Sequence, residues 1–143
     1  MAAGTTRAVG YTRTAAPAAD REHCTTAHAL QIRRYCSVHG LALVGSFADY
    51  GVAGDGVKRT GLRDALSLLR DGQADVLIVT NVSRLSRSVA ALARLVDAHF
   101  SDGSHGLVAL DESLDTRTAN GRFVLTLLDV IARWDAEAVS HAS

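Results

Sequence analysis

Short apolar runs alternate along the chain with stretches whose apolar residues recur every three or four positions. Ala8–Thr14 (AVGYTRT) predicts a first strand, and Ala15–Asp20, rich in Ala and Pro, predicts a loop. Arg21–His39 predicts a helix with Ala29, Ile32, Tyr35 and Cys36 on one side and Gly40 as its stop signal. Leu41–Phe47 predicts a second strand, and the glycine-rich Asp49–Thr60 (DYGVAGDGVKRT) a mobile loop. Gly61–Asp71 carries Leu62, Leu66 and Leu69 at helical spacing and is ended by Gly72. Asp75–Thr80 (DVLIVT) is apolar on both faces, as a buried parallel strand would be. Ser86–Phe100 predicts a helix, Leu107–Leu110 a fourth strand, and Asn120–Ala138 a last helix.

Strands and helices in this alternation predict an α/β domain: a mainly parallel four-stranded sheet flanked by helices, with a long C-terminal helix. The 143 residues suit one domain, with residues 1–7 and the last few frayed. No internal repeat is visible.

Composition narrows the function only a little. No apolar run reaches the roughly 18 residues that span a bilayer, and the N-terminus has no signal-type apolar block. The expectation is a cytoplasmic protein without a membrane partner. Basic and acidic residues number 15 each, so net charge argues neither for nor against nucleic acid. The basic residues are arginines except for Lys58. Arginine suits bidentate phosphate contacts, but a GC-rich genome gives the same bias without a functional reason. Cys24 and Cys36, on one helix, would lie roughly 18 Å apart, too far for a disulfide. They are expected to be free thiols. No Cys/His cluster has metal-ligand spacing, and no role is assigned to the six histidines.

Ligand chemistry in open parallel sheets concentrates beyond the carboxyl ends of the strands. Three polar segments fall there. Tyr11-Thr12-Arg13-Thr14-Ala15 closes the first strand. Asp49-Tyr50-Gly51-Val52-Ala53-Gly54, then Arg59-Thr60-Gly61-Leu62, follow the second. Asn81-Val82-Ser83-Arg84-Leu85-Ser86-Arg87 follows the third. Glu112–Arg122 (ESLDTRTANGR) leads into the last helix.

In this order the segments resemble the serine recombinases, the resolvase/invertase family, over about Ala8–Glu137. The resemblance implies a resolvase-like catalytic domain. In that family a serine attacks a DNA phosphodiester and arginines neutralise the charge on the phosphate in the transition state. It implies no metal and no cofactor. Matched by motif, Tyr11, Arg13, Asp49, Arg59, Ser83, Arg84 and Arg87 are the site positions, and Arg13, Arg59, Arg84 and Arg87 form the expected anion pocket.

The departures weigh as much. The nucleophile position holds Ala15, the aspartate before the paired arginines is Ser83, the loop serine is Ala53, and the Glu-Arg pair of the long helix reads Asp135-Ala136. Thr14 cannot replace the serine, because successive strand side chains face opposite ways: Tyr11, Arg13 and Ala15 share one face, Thr12 and Thr14 the other. Ser83 and Ser86 lack a base in sight to activate them. An engineered Ala15 would not explain the simultaneous changes at Ser83, Ala53 and Ala136.

Plainer readings stand beside these. Asp49 in a glycine-rich stretch is as readily a turn residue. Arg59 alone would be a solvated arginine. Arg84 and Arg87, three apart, suit a solvated turn with Ser83 or Ser86 as helix cap. Arg13 inside an apolar strand needs a partner, and Asp49 is the plausible one.

The last helix carries Phe123, Val124, Leu125, Leu127, Leu128, Val130, Ile131 and Trp134, more than one core-facing stripe. Phe123, Leu127, Val130 and Trp134 are expected at a homodimer interface over residues 120–138. The chain ends at Ser143, with no helix-turn-helix domain expected after it. Three functions stay open. The first is an inactive recombinase-like domain that binds DNA or a protein partner as a dimer. The second is an active recombinase domain with an unrecognised nucleophile, or a piece of a longer recombinase. The third is a phosphate-ligand sensor reusing the arginines.

Overall fold

The computed structural model describes residues 5–14, 18–50, 60–82, 89–100, 105–124, 126–127 and 130–131. The chain runs β1 (Arg7–Thr14), α1 (Ala18–His39), β2 (Ala42–Tyr50), α2 (Thr60–Arg70), β3 (Val76–Val79), α3 (Val89–His99), β4 (Gly106–Ala109) and β5 (Leu114–Asp115). Residues 119–124, 126–127 and 130–131 are helical. They are the described part of the helix expected over 120–138, and its extension toward 138 lies outside the described residues.

The sheet order is β2-β1-β3-β4-β5. The first three pairings are parallel and β5 lies antiparallel on β4. Four strands were expected and the described residues form five. The fifth was missed because two residues are too short to display any period. Two boundaries also move. Helix α1 begins at Ala18, inside the expected loop, and β2 runs on to Tyr50 rather than ending at Phe47.

Alternation along β1 sorts the core into two layers. Val9 and Tyr11 pack with Leu62, Leu66 and Leu69 of α2 and with Leu92 and Val96 of α3. Ala8 packs with Ile32 and Cys36 of α1 and with Val76, Ile78 and Val108. Central strands covered on both faces read as continuous apolar runs, and all four residues of β3 are buried. Cys36 is a buried free thiol.

Both predicted stop signals act as helix ends. Gly40 and Gly72 take φ of 69° and 77°, the left-handed region that closes a helix cheaply only for glycine. The next amides then turn back to the helix, Leu41 N–H to the Cys36 carbonyl and Gln73 N–H to the Leu68 carbonyl, each at 2.8 Å. These turns return the chain so that β1, β2 and β3 point their carboxyl ends the same way. Among the described residues no helix is long and apolar enough to cross a membrane.

Candidate functional site

At the carboxyl ends of β1 and β2, Tyr11 stands opposite Phe47 and Arg13 opposite Asp49. Tyr11 and Asp49 are buried; Arg13 is half-buried. The Tyr11 hydroxyl donates to Asp49 Oδ2 at 2.8 Å. The backbone N–H of Leu62 donates to the same oxygen at 3.0 Å, and that of Gly61 to Oδ1 at 2.8 Å. Those two amides belong to the first turn of α2, where N–H groups have no partner within the helix. Asp49 therefore caps α2 from the neighbouring strand, and its negative charge meets the positive end of the helix dipole.

This corrects the sequence expectation for Asp49. It is not in a mobile loop but inside β2, 6% exposed. The close seat of α2 depends on Gly61: a Cβ there would come within 2.7 Å of the Ala48 carbonyl oxygen. The Gly-Leu pair read as part of a motif is thus the contact between the helix start and the strand end.

The facing of β1 follows the expected alternation. Thr12 lies on the α1 side, its hydroxyl 2.8 Å from His28 Nδ1. Tyr11 lies on the α2 side, and Arg13, two residues on, shares that side. Ala15, the next residue in that series, lies outside the described residues, as do Arg59, Ser83, Arg84 and Arg87. Of the expected anion pocket, Arg13 is the arginine whose place is described.

A second polar group gathers where β3 ends. The Asp111 amide donates to the Thr80 carbonyl at 2.7 Å, which holds the turn after β4 beside the end of β3. The Asp111 carboxylate accepts from Asn81 Nδ2 at 3.2 Å and from Gln31 Nε2 at 3.4 Å. Glu112 Oε1 accepts the Val82 N–H at 3.3 Å. Sequence reasoning quoted Asn81, Val82 and Glu112 within its motif segments without giving them a role, and it missed Gln31, Asp111 and His28. Each contact joins positions 16 to 80 apart, and no local spacing signals such a pair.

The turn into the terminal helix is locked by an ion pair. Arg117 Nη2 lies 2.7 Å from Asp115 Oδ2, and Arg117 Nε donates to Oδ1 at 2.9 Å. Partial burial pushes the Asp115 carboxyl up, but the hydrogen bonds from Arg117 outweigh it and hold the group below the usual carboxylate range. Beyond it, Val124 and Ile131 pack on the core. Phe123, Leu127 and Val130 are 65%, 48% and 37% exposed. Trp134 lies outside the described residues. Among the described residues no group of His, Cys, Asp and Glu could hold a metal ion.

The sequence matches the family described as Resolvase, N terminal domain, over residues 8–143. The chain belongs to that family. The resolvase domain is 33% identical over 88 residues to the DNA-invertase hin of Salmonella typhimurium, covering 62% of this chain and 45% of the relative. It is 32% identical over 82 residues to a resolvase/recombinase of Pseudomonas putida, covering 57% and 44%. The chain thus spans less than half the length of these curated relatives.

Solved structures show the same fold. The N-terminal catalytic domain of TP901-1 integrase superposes with a TM-score of 0.75 at 24% identity, covering 93% of this chain and 98% of that one. A resolvase family site-specific recombinase from Streptococcus pneumoniae gives 0.75 at 16% identity, covering 96% and 93%.

Proposed function

We propose that this resolvase domain binds DNA as a homodimer and does not cleave it. The observation that carries the reading is the residue that follows β1. In a chain of this family the strand bearing Tyr11 and Arg13 runs directly into Ala15, where the resemblance calls for the nucleophilic serine. A methyl group cannot attack phosphorus. The cations are retained: Arg13, Arg59, Arg84 and Arg87 supply positive charge for phosphate oxygens, which position a protein on DNA without reading its sequence. The invertase and resolvase relatives are named for DNA rearrangement, which favours DNA over other phosphate ligands. Such a role fits the cytoplasmic placement expected from the sequence.

The dimer is supported by Phe123, Leu127 and Val130. Spaced four and three residues apart, they make one exposed apolar stripe beside the packed Val124 and Ile131.

The test is incubation with supercoiled DNA and with nicked suicide substrates, followed by denaturing gels and mass spectrometry of the protein. The expected result is a mobility shift with native DNA and no covalent adduct. A covalent protein–DNA adduct sinks the inactive reading. Loss of the mobility shift in Arg84→Ala/Arg87→Ala supports the phosphate contacts, whereas an unchanged shift removes them.

A further inference from the structure

We infer that the groove between α1 and the β4–β5 turn is a binding site for a small organic cation with an apolar body. Its volume is about 400 Å³, within the range of small-ligand sites. Helix α1 supplies Gln31 and Tyr35, β4 supplies Val108 and Leu110, and the turn and β5 supply Ser113 and Asp115. Tyr35 and Leu110 pack against the same core cluster as Val108, so this part of the lining is apolar.

The rim is acidic. The Asp111 carboxylate lies 3.4 Å from the side-chain amide of Gln31, and Glu112 follows it, between the lining residues Leu110 and Ser113. Both carboxylates are exposed. Their described partners are neutral: the side-chain amides of Gln31 and Asn81 for Asp111, and the Val82 N–H for Glu112. Among the described residues neither forms an ion pair. Asp115 differs, because Arg117 Nη2 holds it at 2.7 Å. Three carboxylates against one guanidinium leave a negative potential over the groove, which attracts a cation and repels phosphate. The ring of Tyr35 offers a flat cation a second contact through its face. Burial first, and then the charge of Asp115, push the Tyr35 hydroxyl above its usual range, so the ring stays a neutral phenol at pH 7. His39, its ring centroid 4.1 Å from that of Tyr35, adds positive charge only when protonated.

The probes are benzamidinium, benzamide and benzoate, one shape carrying a positive charge, none and a negative charge. Each is titrated into the full chain at constant ionic strength and pH 8, where an ordinary imidazole is uncharged. Binding is followed by two-dimensional NMR of the backbone amides. Saturable benzamidinium shifts are expected along the groove, at Gln31, Tyr35, Leu110 and Ser113, in the millimolar range that suits so small a molecule. Benzamide is expected to bind about 2- to 5-fold more weakly, the scale of an exposed ion pair, and benzoate more weakly still. Asp111→Asn/Glu112→Gln removes two charges but keeps acceptor oxygens, and it is expected to bring the benzamidinium and benzamide affinities together. Gln31→Trp, at an exposed position of α1, places an indole over the groove and is expected to abolish the shifts. Circular dichroism checks both variants, and the comparison of the three probes on the wild type needs neither.

If benzamide binds the wild type as tightly as benzamidinium, the groove does not select a cation and the assignment is overturned. It is overturned equally if the shifts fail to saturate, fall away from the groove, or persist unchanged in Gln31→Trp. A double variant that keeps the full preference for benzamidinium overturns the role given to Asp111 and Glu112.

Discussion

Tyr11 and Asp49, on adjacent parallel strands, are joined by a buried hydrogen bond of 2.8 Å from phenol to carboxylate. The same carboxylate holds two amides of the first turn of α2. One buried side chain thereby ties the ends of β1 and β2 to the start of a helix. Arg13 stands in register with Asp49, and Arg59 precedes α2 by one residue. Of the arginines expected at the anion pocket, Arg13 is the one placed at this junction.

Tyr11→Phe leaves the Asp49 carboxylate with one donor fewer in a buried setting. Hydrogen bonds to charged groups contribute about 1.5–3 kcal/mol, and the lower half of that range is expected because the two amides stay in place. Asp49→Ala removes the acceptor from all three donors and the cap from α2, and costs more, about 3–4 kcal/mol. Urea unfolding followed by circular dichroism measures both. Equal losses for the two variants would show that the cap contributes nothing beyond the tyrosine contact.

Gly61→Ala tests the close seat of α2. Alanine is the better helix former by about 1 kcal/mol, so a free helix would gain. Here the new methyl meets the Ala48 carbonyl oxygen at 2.7 Å and Asp49 Oδ1 at 3.0 Å. The first of these is backbone and cannot rotate away. Overpacking of this kind costs about 1–3 kcal/mol, so net destabilisation is expected. A melting temperature at or above that of the wild type would refute it.

Much of this was legible in the sequence because it depends on local spacing. Gly40 and Gly72 end helices where the apolar period stops, and the run DVLIVT announces a buried strand. The alternation of Tyr11 and Arg13 against Thr12 was correct because a strand has no other period. Asp49 was misplaced for a physical reason. The glycines from Gly51 onward suggest a loop, while the partner that keeps β2 extended to Tyr50 is β1, more than thirty residues earlier. Asp111 and His28 carry no local signal at all, since each gains its partner from a residue brought near by the fold, and Glu112 was quoted as a motif residue without its contact to Val82 being legible. The family was legible because four motifs stand in register, although each is weak alone.

The exposed stripe of the terminal helix predicts the oligomeric state. Phe123, Leu127 and Val130 remain uncovered while Val124 and Ile131 are packed. Phe123→Asp and Val130→Asp place a charge in the proposed interface, where burying it unpaired is costly. Sedimentation equilibrium at micromolar concentration is expected to give a dimer for the wild type and a monomer for either variant, with unchanged circular dichroism. A monomeric wild type would exclude the dimer. So would variants that dimerise as strongly as the wild type.

The ion pair at the base of that helix predicts a response to acid. Arg117 holds the Asp115 carboxyl below its ordinary value of 3.8, against the opposing effect of burial. A group whose folded pKa is depressed releases its proton more readily in the native state. Its contribution to stability is therefore fully present above the unfolded value and is lost as pH falls through the folded one. The window lies below about pH 4. Asp115→Asn removes the charge at every pH, so it is expected to melt below the wild type at pH 6, and the gap should narrow as the pH falls from about 4 to 3. Asp75 behaves alike and serves as the internal comparison. The Arg7 backbone N–H and side chain lower its carboxyl, and Asp75→Asn is expected to show the same narrowing. The pair at Asp115 and Arg117 is partly exposed, so salt is expected to shrink the gap at pH 6 as well. A gap that stays constant from pH 6 to pH 3 would mean that Asp115 acts through packing and its neutral hydrogen bonds, and the ionic account of this turn would be wrong.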